Sequence, residues 1–193
     1  RLGLGAIALE AMLSLMIGWK AFFFWLGTLC FSFLMRWEFG LGQWLEDRML
    51  LYAITHNPIV ACLALFAWSC SGEAWQPRNL WYVLTVSLAS FGFELARKTN
   101  RPEEEIEGVD SYTSVYGLKK VLWILRTTIV LSIGTASVVL FSLSSSIWGW
   151  GILGLASLLS LYLTLPSGTA KKFEGAGLLF LLLAMLSMIV APW

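Results

Sequence analysis

The sequence predicts an all-α fold, a polytopic bundle of membrane-spanning helices. Of its 193 residues, 58% are hydrophobic and only 13% are charged, whereas a typical soluble domain carries about 25% charged residues. The apolar residues form long runs, and about 20 such residues are enough for an α-helix to cross a bilayer. The charged residues collect between the runs. Their net charge of +1 gives no indication of nucleic-acid binding.

Seven apolar segments follow one another along the chain. They cover residues 2–17, 21–34, 49–70, 80–95, 121–141, 147–165 and 176–190. The first two are separated only by Gly18-Trp19-Lys20. Together they are too long for one straight crossing of about 30 Å at about 1.5 Å per residue. We therefore expect seven spans, which form a single transmembrane domain over residues 1–193.

The cations of the connections predict the orientation of these spans. If Arg1 is cytoplasmic, alternate connections place ten cations on the cytoplasmic side and two, Lys20 and Arg78, on the other. The ten are Arg1, Arg36, Arg48, Arg97, Lys98, Arg101, Lys119, Lys120, Lys171 and Lys172. Lys and Arg are concentrated in cytoplasmic loops of membrane proteins. We therefore expect residues 94–117 to be cytoplasmic and the C-terminus to lie on the opposite side.

The connection at residues 94–117 is the most acidic part of the chain. It holds six of the twelve acidic residues: Glu94, Glu103, Glu104, Glu105, Glu107 and Asp110. Carboxylate oxygens are the ligands of Mg²⁺, which usually also binds the phosphates of a substrate. The candidate metal ligands are Glu103, Glu104, Glu105 and Asp110. The alternative is a solvated acidic loop that the neighbouring Arg and Lys side chains balance.

Two ionisable residues, Glu10 and Arg126, lie inside apolar segments. Such residues are costly in lipid and usually face the interior of a helix bundle. Arg126 follows Lys119 by two helical turns, so its side chain is placed to contact a ligand. The alternative is a structural ion pair with Glu10 or Glu94.

Residues 108–117, Gly-Val-Asp-Ser-Tyr-Thr-Ser-Val-Tyr-Gly, resemble the second conserved region of UbiA-type intramembrane prenyltransferases. In that family an Asp-x-x-x-Asp element precedes a Gly, then Thr or Ser, then a Gly before the next helix. Counted back from Gly117, Ser111 takes the Thr or Ser position and Gly108 takes that of the first Gly. Glu104 then takes the second acidic position.

The first acidic position falls on Asn100, which departs from the family pattern. Glu94 or Glu103 would substitute for it if the loop is shifted by a few residues. Residues 34–39 and 52–56 also resemble a subgroup of bacterial UbiA-like proteins with divergent acidic motifs. The resemblance thus covers about 25 residues in motif, and it implies the bacterial inner membrane as the location.

The resemblance implies nine spans and two acidic motifs, of which this sequence contains the second. We therefore expect two spans and the first motif to precede Arg1. It also implies that Mg²⁺ holds an isoprenyl diphosphate, whose prenyl group passes to a lipid-soluble, aromatic acceptor in an apolar tunnel. The implied catalytic residues are Glu104 and Glu94. The implied diphosphate contacts are Arg97, Lys98, Lys119 and Arg126.

Other interpretations stay open at this point. Lys119 and Lys120 are also placed to extend towards lipid headgroups, as cations at helix ends do. An inactive UbiA-like scaffold is favoured by the Asn at position 100 and opposed by the cluster of Glu residues. A transporter would use intramembrane Glu, Arg and His residues as an ion path, but no internal repeat or pair of broken helices is evident.

Overall fold

Long runs of residues with apolar side chains form helices throughout the computed structural model. The structure describes residues 2–105, 111–143, 147–164 and 169–190. Within these ranges it contains α-helices and two 3₁₀ turns, Glu38–Gly40 and Pro102–Glu104, and no strand. The α-helices are α1 (Leu2–Ile17), α2 (Trp19–Arg36), α3 (Gly42–Glu46), α4 (Met49–His56), α5 (Pro58–Cys70), α6 (Pro77–Arg97), α7 (Tyr112–Tyr116), α8 (Leu118–Ser142), α9 (Ile147–Leu163) and α10 (Ala170–Val190). The predicted all-α class is confirmed.

The seven predicted apolar segments correspond to these helices. In chain order the helices are α1, α2, α4 with α5, α6, α8, α9 and α10. The segment at residues 49–70 is divided because α4 ends at His56 and α5 begins at Pro58. Proline lacks a backbone N–H and its ring clashes with the preceding turn, so it fits the first position of a new helix better than the interior of an old one.

Two helical stretches in the described part of the chain are long and apolar enough to cross a membrane. They are Met49–Cys70, which combines α4 and α5, and Leu118–Ser142, which is α8. The 25 residues of α8 give a length of about 37 Å at about 1.5 Å per residue, which exceeds a hydrocarbon core of about 30 Å. The arrangement of seven spans stays a prediction.

The chain divides into two compact units, Arg1–Gln76 and Pro77–Trp193. In the first, α2 packs against α1 and α5. In the second, α6 packs against both α8 and α10, and α9 packs against α10. The prediction of a single transmembrane domain is not tested by this division.

Small and hydroxylated residues join the helices of the second unit. Thr85 of α6 donates a hydrogen bond to Thr135 of α8 at 2.9 Å, and Ser132 donates to the Thr85 carbonyl at 3.2 Å. Between α9 and α10, Ser160 donates to the carbonyl of Ala176 at 3.3 Å. Hydrogen bonds of this kind hold helices together where apolar burial gives little preference for one packing. These hydrogen bonds hold α6 against α8 and α9 against α10. The acidic segment, residues 94–117, connects the end of α6 to the start of α8.

Candidate functional site

The last turn of α6 forms an ion-pair cluster. Glu94 lies three and four residues before Arg97 and Lys98, a spacing that places all three on one face of a helix. Arg97 Nη2 is 2.8 Å from Glu94 Oε2, and Lys98 Nζ is 3.2 Å from Oε1. The hydrogen bond to Glu94, together with its charge, raises the pKa of Arg97. Two predicted diphosphate contacts are therefore bound to a predicted catalytic carboxylate.

Tyr112 fixes α7 against the end of α6. Its backbone N–H donates to the Lys98 carbonyl at 3.0 Å, and the residue is only 1% exposed. Burial raises the pKa of the Tyr112 phenol, and the nearby Glu94 carboxylate raises it further. The phenol therefore stays protonated at physiological pH.

Ser111 connects α7 to the acidic segment. As the N-cap of α7, its Oγ accepts a hydrogen bond from the Ser114 N–H at 3.0 Å. The same hydroxyl donates to Glu105 Oε1 at 2.6 Å. The other carboxylate oxygen of Glu105, Oε2, is buried and has no hydrogen-bond partner among the described residues. The carboxylate of Glu105 is thus held in place through one of its two oxygens.

Of the other predicted metal ligands, the structure describes two. Glu103 and Glu104 are exposed in the 3₁₀ turn, and Glu104 Oε2 accepts from the Arg101 N–H at 3.3 Å. Asp110 lies outside the described residues, as does Glu107. Among the described residues, no three His, Cys, Asp or Glu side chains gather closely enough to hold a metal ion.

The chemistry of these donors nevertheless fits Mg²⁺. All are carboxylates, the ligand type that this ion prefers. The orphaned, buried Oε2 of Glu105 offers one oxygen to a cation. A buried carboxylate oxygen without a donor is costly, and a bound cation removes that cost. Glu105 therefore fits the role of a metal ligand.

A cavity of about 650 Å³ opens at the start of α8. Its lining residues are Tyr116, Gly117, Leu118, Lys119, Lys120, Trp123 and Arg126. Lys120 Nζ lies 5.3 Å from the centre of the Tyr116 ring. The lining thus contains three cations and two large aromatic rings, and none of its described residues is acidic. We call this space the cationic cavity.

The backbone between α7 and α8 turns at Gly117. Its φ of +79° lies in the left-handed region that favours glycine. The turn ends α7 and starts α8 at Leu118, and so brings Tyr116 and the first turn of α8 to the same cavity. Gly117 thus lies directly before the next long helix.

Arg126 reaches the cationic cavity from two turns further along α8. Its Nη2 donates to the Thr164 carbonyl at 2.6 Å, just beyond the end of α9. A cation is favourable there because the carbonyl groups at a helix C-terminus carry partial negative charge. Among the described residues, the ion pairs of Glu94 are with Arg97 and Lys98, and the predicted ion pair of Arg126 with Glu94 is not formed.

No family model matches the sequence, and no curated protein or solved structure matches the chain. What this protein does must therefore be inferred from its own residues. The resemblance of residues 100–117 to UbiA-type prenyltransferases stays a prediction.

The sequence reasoning overlooked three residues of the site. Ser111 was assigned to a motif position without a structural role, although Ser-x-x-Ser before a short helix is close to the pattern of a capping box. Tyr112 carried no signal beyond its place in the motif. Thr164 was not foreseen because its contact with Arg126 joins two helices that are distant in sequence.

Proposed function

We propose that this protein is a membrane-embedded prenyltransferase of the UbiA type, which binds an isoprenyl diphosphate with its phosphates in the cationic cavity. The observation that carries the proposal is the convergence of Lys119, Lys120 and Arg126 on one space. A cleft lined by several charges of one sign attracts ligands of the opposite sign. A diphosphate offers several charged oxygens, with which Arg and Lys form short, charge-assisted hydrogen bonds.

The size and walls of the cationic cavity suit an amphiphilic substrate. A volume of about 650 Å³ lies within the usual range of small-molecule sites, about 300–1,000 Å³. Tyr116 and Trp123 provide aromatic surface beside the cations. This surface would contact the first isoprene units, while the diphosphate stays among the positive charges.

The carboxylates lie one short helix away from these cations. Ser111 holds Glu105 at the start of α7, and Tyr116 lines the cationic cavity at its end. Five residues of helix cover about 7–8 Å. In the proposal, Glu103, Glu104, Glu105 and Asp110 would come together only around a bound Mg²⁺, whose charge would offset that of the departing diphosphate. Lys119 and Arg126 stabilise the same leaving group directly.

The proposed location is the bacterial inner membrane, with the acidic segment on the cytoplasmic side. The two helical stretches long enough to cross a bilayer support membrane insertion. The distribution of loop cations supports seven spans and this orientation. An aromatic, lipid-soluble acceptor is the proposed second substrate.

An inactive scaffold is the second candidate, and one observation favours it. Both oxygens of Glu94 are already engaged by Arg97 and Lys98. In a working site these three groups would be expected to act on the ligand. A structural cluster of this kind would instead stabilise the end of α6.

The test is the transfer of a labelled prenyl group to an acceptor by the purified membrane protein, with and without Mg²⁺. We expect Glu104→Gln to lower turnover at least about a hundredfold, the range of a lost electrostatic contribution to a transition state. Glu107→Gln, outside the motif register, serves as the control and should leave turnover within about twofold of the wild type. Equal turnover of Glu104→Gln and the wild type would refute the assignment of Glu104. Absence of Mg²⁺-dependent transfer with every prenyl donor would favour the scaffold.

A further inference from the structure

A second cavity, of about 530 Å³, lies within the first unit. It is bounded by α1, α2 and α5, and most of its walls are apolar. One carboxylate, that of Glu10, belongs to the lining. We call this space the Glu10 cavity. It shares no residue with the cationic cavity.

Among the residues that the structure describes, the Glu10 carboxylate has a hydrogen bond but no counter-charge. Its Oε2 accepts from the indole N–H of Trp25 at 3.2 Å. The ion pairs of the described residues do not include Glu10. Glu10 is exposed on the unit, and a carboxylate that faces lipid is costly unless a cation or several donors compensate it. One indole N–H offsets only part of that cost.

The hydroxyl groups that line the Glu10 cavity donate hydrogen bonds to backbone carbonyls of their own helices. Ser14 Oγ donates to the Ala11 carbonyl at 2.9 Å. Thr28 Oγ1 donates to the Phe24 carbonyl at 2.8 Å. Ser32 Oγ donates to the carbonyl of Thr28 at 2.9 Å. Each hydroxyl therefore offers the cavity only the lone pairs of its oxygen.

The described lining thus presents hydrogen-bond acceptors almost exclusively. Apart from the weak S–H donor of Cys70, every donor side chain is already bonded within the unit. An anion or a carbonyl compound would meet acceptors on all sides. A group that carries both positive charge and N–H donors would satisfy the carboxylate and the hydroxyl oxygens together.

We propose that the Glu10 cavity binds the ammonium head of a lipophilic amine, with the apolar part of the ligand against Leu63 and Phe66. The carboxylate of Glu10 would provide the counter-charge, and Ser14, Thr28 and Ser32 the remaining acceptors. The site is separate from the proposed prenyl transfer, and it rests on the membrane placement that the sequence predicts for α1 and α2. Loss of transferase activity and loss of this site are therefore distinguishable.

The test uses ω-bromoundecylamine, whose bromine quenches tryptophan fluorescence on contact, and the protein in nanodiscs of zwitterionic lipid. Trp25 lines the cavity, so a saturable part of the quenching should disappear in Trp25→Phe. Glu10→Gln preserves size but removes the charge, and should weaken binding at least about tenfold, because the ammonium group loses its charge-assisted hydrogen bond. Glu73→Gln removes a carboxylate elsewhere in the same unit and should leave the affinity unchanged.

If Glu10→Gln fails to fold, comparison of the amine with the neutral ω-bromoundecanol in the wild type still tests whether the cavity selects for positive charge. We expect the alcohol to bind the wild type at least about tenfold more weakly than the amine. Equal affinities for the amine and the alcohol would overturn the proposal, since the cavity would then select only for an apolar chain. Unchanged amine binding by a folded Glu10→Gln variant, or the absence of saturable quenching, would also overturn it.

Discussion

Ser111 forms hydrogen bonds with both α7 and Glu105 of the acidic segment. Its hydroxyl caps α7 and at the same time donates to Glu105. The residue is only 1% exposed, so water cannot readily replace it. This arrangement gives a physical reason for a hydroxylated residue at this position of the motif. The carboxylate and the helix that leads to the cationic cavity depend on the same atom.

We expect Ser111→Ala to destabilise the protein by about 1–3 kcal/mol. The substitution removes an N-cap, which costs about 0.5–2 kcal/mol, and leaves the partly buried Glu105 carboxylate without its donor, which adds to the loss. The measurement is the free energy of unfolding in mixed detergent micelles.

Ser111→Thr is the matched control, because threonine keeps the hydroxyl and is an acceptable N-cap. It should retain most of the stability that Ser111→Ala loses. If the two variants are equally stable, the hydrogen bonds of Ser111 do not hold the acidic segment in place.

Residue-level contacts were predictable only where they are local. The pairing of Glu94 with Arg97 and Lys98 follows from a helical spacing of three and four residues, although the sequence analysis assigned the cations to a ligand. The bond between Glu105 and Ser111 depends on the path of the intervening loop, which no periodicity describes. The contact of Arg126 with Thr164 depends on how α8 and α9 pack.

At the scale of elements, α10 approaches α6 closely at Gly177. A Cβ atom placed there would lie 2.8 Å from Ala96 Cβ and 3.0 Å from Phe93 Cα. The second of these is a backbone atom, which cannot rotate away. The absence of a side chain at Gly177 therefore allows the two helices to pack at this distance, as small residues do in membrane bundles.

We expect Gly177→Ala to lower stability. Overpacking costs about 1–3 kcal/mol, which exceeds the gain of about 0.5–1 kcal/mol in helix propensity. The midpoint of thermal unfolding in detergent, followed by circular dichroism, measures the net change.

Gly175→Ala is the matched control in the same helix, because a Cβ atom there meets nothing within 4 Å. It should leave stability unchanged or raise it slightly. A Gly177→Ala variant as stable as Gly175→Ala would show that α6 and α10 do not pack as closely as described.

Helices were predictable where apolar runs were long. Burial or lipid contact of a long apolar run requires that its backbone groups bond internally, and a helix satisfies this over any such run. The break between α4 and α5 follows from the chemistry of Pro58, whereas the apolar pattern alone predicts one continuous segment over residues 49–70. The five residues of α7 are too few to show a period, so the sequence analysis treated them as loop.

At the scale of the whole molecule, the two cavities differ in charge. The Glu10 cavity, in the first unit, contains a carboxylate and acceptor oxygens. The cationic cavity, in the second unit, contains three cations and no described acid. The first suits a cationic ligand and the second an anionic one. The near-neutral net charge of +1 is therefore compatible with two cavities whose linings differ in charge.

The most direct measurement is equilibrium binding of tritiated geranylgeranyl diphosphate to the purified protein in nanodiscs, compared with the matching prenyl alcohol. We expect the wild type to bind the diphosphate more tightly than the alcohol. We also expect Lys119→Gln and Arg126→Gln each to weaken binding of the diphosphate at least about tenfold, since each removes a charge-assisted hydrogen bond. Arg78→Gln, which removes a cation at the start of α6, should leave the affinity unchanged. Equal binding of diphosphate and alcohol, or wild-type affinity in both cavity variants, would contradict the account.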